Sequence, residues 1–237
     1  MGLGLGLGHI FNNSSPTGSF ELTNLSGLKL WLKYDTGITL NGSSVSSWAD
    51  QSGESNNAAQ ATSSRQPNYG SGDIRFDGTD DRFDLTSQIS LSSFSTFMVI
   101  NPDATASMGV FGSASNQCIR VHQGGDADRV TVKGVAGDSD QLNLTQDLPQ
   151  GNFLLSVTRN GGGSTDNVRV FINTTDVTDT ARDSMIPAPL TVNTVGSCTA
   201  AFLPFDGTIN ELAIYNTLLT GDEISDVQNN IMSRNGL

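Results

Sequence analysis

Carboxylates are the residues here that could do chemistry. Glycoside hydrolysis needs two of them across the scissile bond, one often a glutamate with a raised pKa. The chain has four glutamates, Glu21, Glu54, Glu211 and Glu223, and they lie far apart in sequence. Glu211, on the last strand-like segment, reads as structural, bonded to backbone or to an arginine. Nucleophilic catalysis needs a Ser or Cys beside a base. His9 and His122 are the only histidines, and neither accompanies a Gly-x-Ser-x-Gly or Cys-His pattern. His122 reads as a residue of a sheet face or loop. Hard cations want several oxygens. Asp50 with Asp77, Asp80 and Asp81 are the calcium candidates, followed by the loop pairs Asp126/Asp128 and Asp138/Asp140. None has EF-hand spacing, and acidic turns are ordinary in an Asp-rich β-protein. The expectation is no cofactor and no enzyme. Sugar binding would use an exposed aromatic with nearby amides and carboxylates. Trp31 and Trp48 read as core, Tyr34, Tyr69 and Phe202 as freer, and nothing converges.

The bulk of the chain must position these groups. Its 237 residues suit one larger β-domain. Charged residues are few and turn residues many, the profile of short strands joined by turns. The net charge is −12, carried almost wholly by aspartate. Asp is a turn residue and Glu a helix former, so the bias favours β-structure. The negative charge repels phosphate backbones and argues against nucleic acid. Two cysteines, Cys118 and Cys198, do not make a disulfide scaffold and read as buried thiols. No apolar run is long enough to cross a bilayer. The start, MGLGLGLGHIF, lacks a basic n-region and does not read as a signal peptide.

Residues 1–23 read as an extended arm. Leu3, Leu5 and Leu7 alternate with glycines, so they share one face of an extended chain. With Ile10 and Phe11 they are the candidate partner-binding residues, able to add a strand to a neighbour. The domain runs from 24 to 237. Leu28 to Lys33 alternates as a strand. Tyr34 to Ser47 reads as a loop with a turn signal at Asn41-Gly42. Ser47 to Gly53 reads as a turn or short helix with Trp48 buried. Phe94 to Asn101 is the strongest buried strand. A meander follows, and Thr208 to Tyr215 is the last strand. Phe-Asp-Gly-Thr occurs twice, at Phe76–Thr79 and Phe205–Thr208. Asp-Gly favours tight turns, so both copies read as turns that bring an early and a late strand together. One helix is clear. Thr220 and Glu223 form a capping box, and Ile224, Val227 and Ile231 share a face.

Leu30-Trp31-Leu32-Lys33, Ser47-Trp48-Ala49-Asp50-Gln51-Ser52-Gly53, Arg75 to Asp81 and Gly207 to Asn216, in that order, resemble the concanavalin A-like, laminin-G-like domains of bacterial and phage proteins. The resemblance covers about residues 25–233. It implies an all-β jelly-roll sandwich of two antiparallel sheets, here with an extended N-terminal arm and one short C-terminal helix. It does not settle function, because this fold hosts lectins, glucanases and virion proteins. Glucanases of the superfamily carry Glu-x-Asp-x-x-Glu on one strand, and this chain lacks that motif. Glu211 stands at the family's usual Glu position in the last-strand motif. Starts similar to MGLGLGLG precede such domains in structural proteins of tailed phages, marine phages especially.

The resemblance implies a phage virion structural protein, a capsid decoration or cement protein held through its arm. The major capsid protein or other virion proteins are the expected partners. Self-association, for instance as a trimer, would satisfy the apolar face of the arm. The implied location is the virion, assembled in the host cytoplasm, with no membrane partner. The alternative is a carbohydrate-binding module of a tail fibre or appendage that recognises host surface glycans.

Overall fold

The structure is a computed structural model that describes residues 20–134, 141–161, 167–179, 188–200 and 202–237. The arm residues Leu3, Leu5, Leu7, Ile10 and Phe11, together with Asp138 and Asp140, lie outside the described residues.

In chain order the strands are β1 Leu28–Leu32, β2 Ile38–Asn41, β3 Ser44–Trp48, β4 Ala58–Ala59, β5 Asn68–Gly70, β6 Asp73–Asp77, β7 Phe83–Leu91, β8 Phe94–Pro102, β9 Met108–Ala114, β10 Gln117–Val121, β11 Arg129–Lys133, β12 Gln141–Asn143, β13 Phe153–Asn160, β14 Asn167–Ile172, β15 Thr175–Asp176, β16 Leu190–Val195 and β17 Asp206–Tyr215. One helix, α1 Gly221–Asn235, follows them. The strand pairings are antiparallel and join into one continuous ladder that folds over into two layers. One layer runs β1–β17–β8–β13–β14–β15. The other runs β4–β7–β16–β9–β10–β11–β12. At one edge β6, β5 and β3 carry the ladder from β17 round to β4. This is the all-β jelly-roll architecture expected from the sequence.

The main core lies between the layers. Leu30, Met98, Ile100, Leu155, Leu212 and Ile214 meet Phe83, Leu91, Val110, Ile119, Val130 and Val192 there. A second core covers the outer face of the first layer. Trp31, Phe97, Val99, Leu154, Ala213 and Tyr215 pack against Ile224, Val227 and Ile231 of α1. Strands β8 and β17 are therefore buried on both faces. That is why β8 carries the unbroken apolar run Phe97–Ile100 and β17 the run Leu212–Tyr215, rather than simple alternation. The helix starts as its sequence requires. Glu223 N–H donates to Thr220 Oγ1 (3.3 Å), and Thr220 N–H donates to Glu223 Oε2 (2.8 Å).

Two local readings change. Tyr34 to Ser47 is not a plain loop, because β2 and β3 form a hairpin across it with Asn41 opposite Ser44. Its residues are mostly half-buried or exposed, so no apolar alternation marks it. Ser47 and Trp48 accordingly end a strand. The second Phe-Asp-Gly-Thr copy is not a turn either. Asp206 and Gly207 open β17 and pair with Asp77 and Phe76 of the first copy. Gly207 has φ 137° and presses against the backbone of Asn101, so no side chain fits there. Gly78 of the first copy does turn, with φ 70°, and its N–H donates to Phe205 O at 3.0 Å. Edge-to-face contacts join Phe205 to Phe76, Phe76 to Phe83, and Phe83 to Trp48. The repeated motif is thus the closure of the fold.

Candidate functional site

Glu211 is fully buried. An isolated carboxylate there would cost several kcal/mol, roughly, in lost hydration. Both oxygens are instead held by N–H donors. Trp31 Nε1 and Arg234 Nη2 donate to Oε1 at 2.8 and 2.7 Å. Asn235 Nδ2 and Arg234 Nε donate to Oε2 at 2.7 and 3.2 Å. The Arg234 guanidinium also sits 5.2 Å from the Trp31 ring centroid, and Lys33 Nζ sits 4.7 Å from it. Glu211 is a clamp between β17, β1 and the end of α1. His122 is also buried, with Nδ1 2.8 Å from Ala104 O, and its pKa is lowered by burial.

The calcium candidates separate. Asp77, Asp80 and Asp81 bring carboxylate oxygens within 4.8 Å of one another. Asp50 belongs elsewhere. Its Oδ1 accepts from the N–H of Trp31 and of Ser52, both at 2.9 Å. Its Oδ2 accepts from Ser52 Oγ (2.7 Å) and Asn56 N–H (2.9 Å). The loop from Asp50 to Asn56 is wound around that carboxylate. Within the trio, Asp77 Oδ1 accepts from the N–H groups of Thr79, Asp80 and Asp81. Asp80 pairs with Arg65, and Asp81 Oδ2 accepts from Asp77 N–H. These bonds hold the three carboxylates in a tight acidic turn. Asp126 pairs with Arg129.

The loop wound around Asp50 carries Glu54 to the mouth of a cleft of about 310 Å³. Glu54 Oε1 meets Lys29 Nζ of β1 at 2.5 Å. Asn56 exchanges two bonds with Ser87, donating to its O (3.0 Å) and accepting from its N–H (2.7 Å). Ser87 is free to do this because the register between β7 and β16 shifts between Asp84 and Ile89. The exposed Gln88 and Ser90 line the cleft from β7, and Asn216 closes it from the end of β17. Ammonium, carboxylate, amide and hydroxyl groups thus converge on one concavity. They suit a small ligand that both donates and accepts hydrogen bonds.

Sequence reasoning missed this cleft. Its residues come from four separate segments, and only Glu54 had been singled out. The one local signal is Thr86-Ser87-Gln88, a polar interruption between Leu85 and Ile89. The aromatic candidates do not join it. Trp31 and Trp48 are core. Tyr69 Oη donates to Asp35 Oδ1 at 2.5 Å, and that bond is the main reason its pKa is pushed up to about 12. Phe202 is exposed and lies against Arg120.

Asp81 is nearly buried, and its pKa is pushed up to about 6, first by desolvation and then by the Asp77 charge. Between its ordinary value of 3.8 and about 6 the folded protein holds the proton more tightly than the unfolded chain. Stability from this group is therefore present at low pH and lost as pH rises through that window. Asp81→Asn keeps an acceptor for Asp77 N–H and removes the titration. Urea unfolding from pH 4 to pH 7 should then show a flatter profile for the variant than for the wild type. Equal slopes would remove Asp81 as the source.

The family model described as the concanavalin A-like lectin/glucanases superfamily matches residues 70–225. A sequence search finds no match among curated proteins. Among solved structures, Trypanosoma rangeli sialidase aligns at TM-score 0.56 with 12% identity over 89% of this chain. A mutant of that sialidase displaying trans-sialidase activity aligns at 0.57 with 13% identity over 88%. In both cases the chain spans 33% of the sialidase. Domain 4 of AbnA, a GH43 extracellular arabinanase from Geobacillus stearothermophilus, aligns at TM-score 0.49 with 17% identity, covering 85% of this chain and 98% of that domain. The expectation of a protein that is not an enzyme is corrected by the sialidase match, since the fold-level link runs to a carbohydrate-active enzyme. At such identities the likeness concerns the fold alone. By the family match and by its two-layered architecture, the chain belongs to the concanavalin A-like lectin/glucanases superfamily.

Proposed function

We propose that the chain is a phage virion structural protein, a β-sandwich displayed on the capsid and tethered through its N-terminal arm. The observation that carries this reading is how the last residues of the 1–23 arm, Phe20 to Leu22, are built into the domain. Phe20 O accepts from Asn230 Nδ2 of α1 (2.9 Å), and Leu22 O accepts from the buried Tyr215 hydroxyl (2.9 Å). Leu22 is itself fully buried in the second core, with Phe20 and Leu25 packed against it. A load passed down from residues 1–19 would meet the second core at Phe20 and Leu22. Partners on this reading are the major capsid protein, other virion proteins and sister copies.

A second reading is favoured by the Lys29–Glu54 cleft. Its polar lining suits a saccharide, and the superfamily includes lectins. The sandwich would then bind host-surface glycans on a tail fibre or appendage.

Two experiments separate these readings. Deleting residues 1–19 should abolish binding to particles that lack the protein while leaving the melting temperature within about 2 °C, because both second-core anchors remain. Undiminished binding would end the tether reading. In a glycan screen, any saccharide bound by the wild type should bind Gln88→Ala at least about ten-fold more weakly, a loss of roughly 1.4 kcal/mol. Binding unaffected by that change, or no binding up to millimolar ligand, would remove the cleft as a glycan site.

A further inference from the structure

A second chemical cluster lies away from the cleft, on the outer face of the second layer. Cys118 of β10 and Cys198 of the loop after β16 are both fully buried and both free thiols. Each thiol shifts the acidity of the other. Arg120 lies beside both. Its Nε is 2.9 Å from Cys118 Sγ, and across the ladder it pairs with Gly109, whose Cβ position is 2.6 Å from Cys198 Sγ. The guanidinium is held from its other side by Gln123 Oε1 (3.1 Å) and by Ser115 O. The Phe202 ring, 40% exposed, lies 5.3 Å from it and caps the cluster. Strand β9 is cut back to make room. A Cβ on Gly112 would stand 2.6 Å from Cys118 Cβ, and one on Gly109 would stand 2.6 Å from Cys198 Sγ. Two side-chain-free positions on one strand therefore leave room for both cysteines.

We propose that Cys118 and Cys198 are an oxidation site, which hydrogen peroxide converts into a disulfide tying the loop after β16 to β10. Both cysteines sit against β9 and beside Arg120, so a bond of about 2.05 Å can be closed by an approach of the loop after β16. Their acidities differ in a useful direction. The neighbouring Cys198 thiol, then the Arg120 charge, lowers the Cys118 pKa, while burial raises that of Cys198. Cys118 is thus the nucleophile and Cys198 the resolving thiol. The Cys118 thiolate attacks one peroxide oxygen, the O–O bond breaks, hydroxide leaves and a sulfenic acid forms. The Cys198 thiol then gives up its proton, and its sulfur attacks Cys118 Sγ. The S–O bond breaks, and the departing hydroxide takes that proton as water. Overall two thiols and one peroxide give a disulfide and two waters, with two electrons passing to the oxidant. The reaction waits on opening of the Phe202 cap, because neither sulfur is exposed. It is independent of the tether and of the cleft.

The test uses the full chain, reduced, freed of reductant and exposed to hydrogen peroxide. Denaturing thiol titration should fall from two thiols to none, and intact mass should fall by two hydrogens. Peptide mapping should join Cys118 to Cys198. The melting temperature should rise by about 5–10 °C and return with dithiothreitol. Cys118→Ala and Cys198→Ala should each lose that rise. Arg120→Gln should slow bridging at least about ten-fold and leave the product unchanged. A sulfinic acid at Cys118 beside a free Cys198, disulfide-linked dimers, or two free thiols in excess peroxide would each overturn the proposal. The wild-type product decides even if a variant fails to fold.

Discussion

One buried carboxylate organises this molecule. Glu211 sits in the middle of β17, the strand between β1 and β8. Its charge is tolerable only because Trp31, Arg234 and Asn235 supply four N–H donors from two other elements. Removing one partner of a buried ionic cluster costs about 3–5 kcal/mol, more than most single packing changes. The last turn of α1 must therefore stay over β1 and β17. That placement lays Ile224, Val227 and Ile231 over Phe97 and Tyr215, and it shelters the bonds that hold Phe20 and Leu22.

The sequence revealed its elements where burial was two-sided or a motif was local. Strands β8 and β17 stood out because both faces are covered, and α1 stood out because Thr220 and Glu223 cap it. The β2–β3 hairpin is hidden in the sequence because Thr39, Leu40 and Asn41 are exposed and only Ile38 reaches the core, so tertiary pairing rather than patterning makes it a strand. The two Phe-Asp-Gly-Thr copies were correctly seen as partners, yet only one is a turn. The close approach of Asn101 that dictates Gly207 is a contact between distant strands, which local turn chemistry does not report.

The sites were less legible for the same reason. Asp50 looked like a neighbour of Asp77, Asp80 and Asp81 because all are aspartates in adjacent motifs. It instead winds its own loop, and by doing so places Glu54 opposite Lys29. The cleft they open is assembled from β1, the Asp50 loop, β7 and the end of β17. No spacing rule links those four segments. The fold supplies a rigid frame, and its polar groups lie where the frame leaves a ladder incomplete, as at Ser87. A frame of this kind hosts many activities, so function follows from where the domain is mounted and what reaches its cleft.

The most direct measurement is the number of copies of this protein per particle, by quantitative mass spectrometry of purified virions normalised to the major capsid protein. A count commensurate with the capsid lattice is the predicted result, and it would fix the domain as a head decoration with the arm as its docking element. A handful of copies would move it to a tail or a single vertex and bring the cleft and its glycan to the fore. Absence from particles would contradict the virion account.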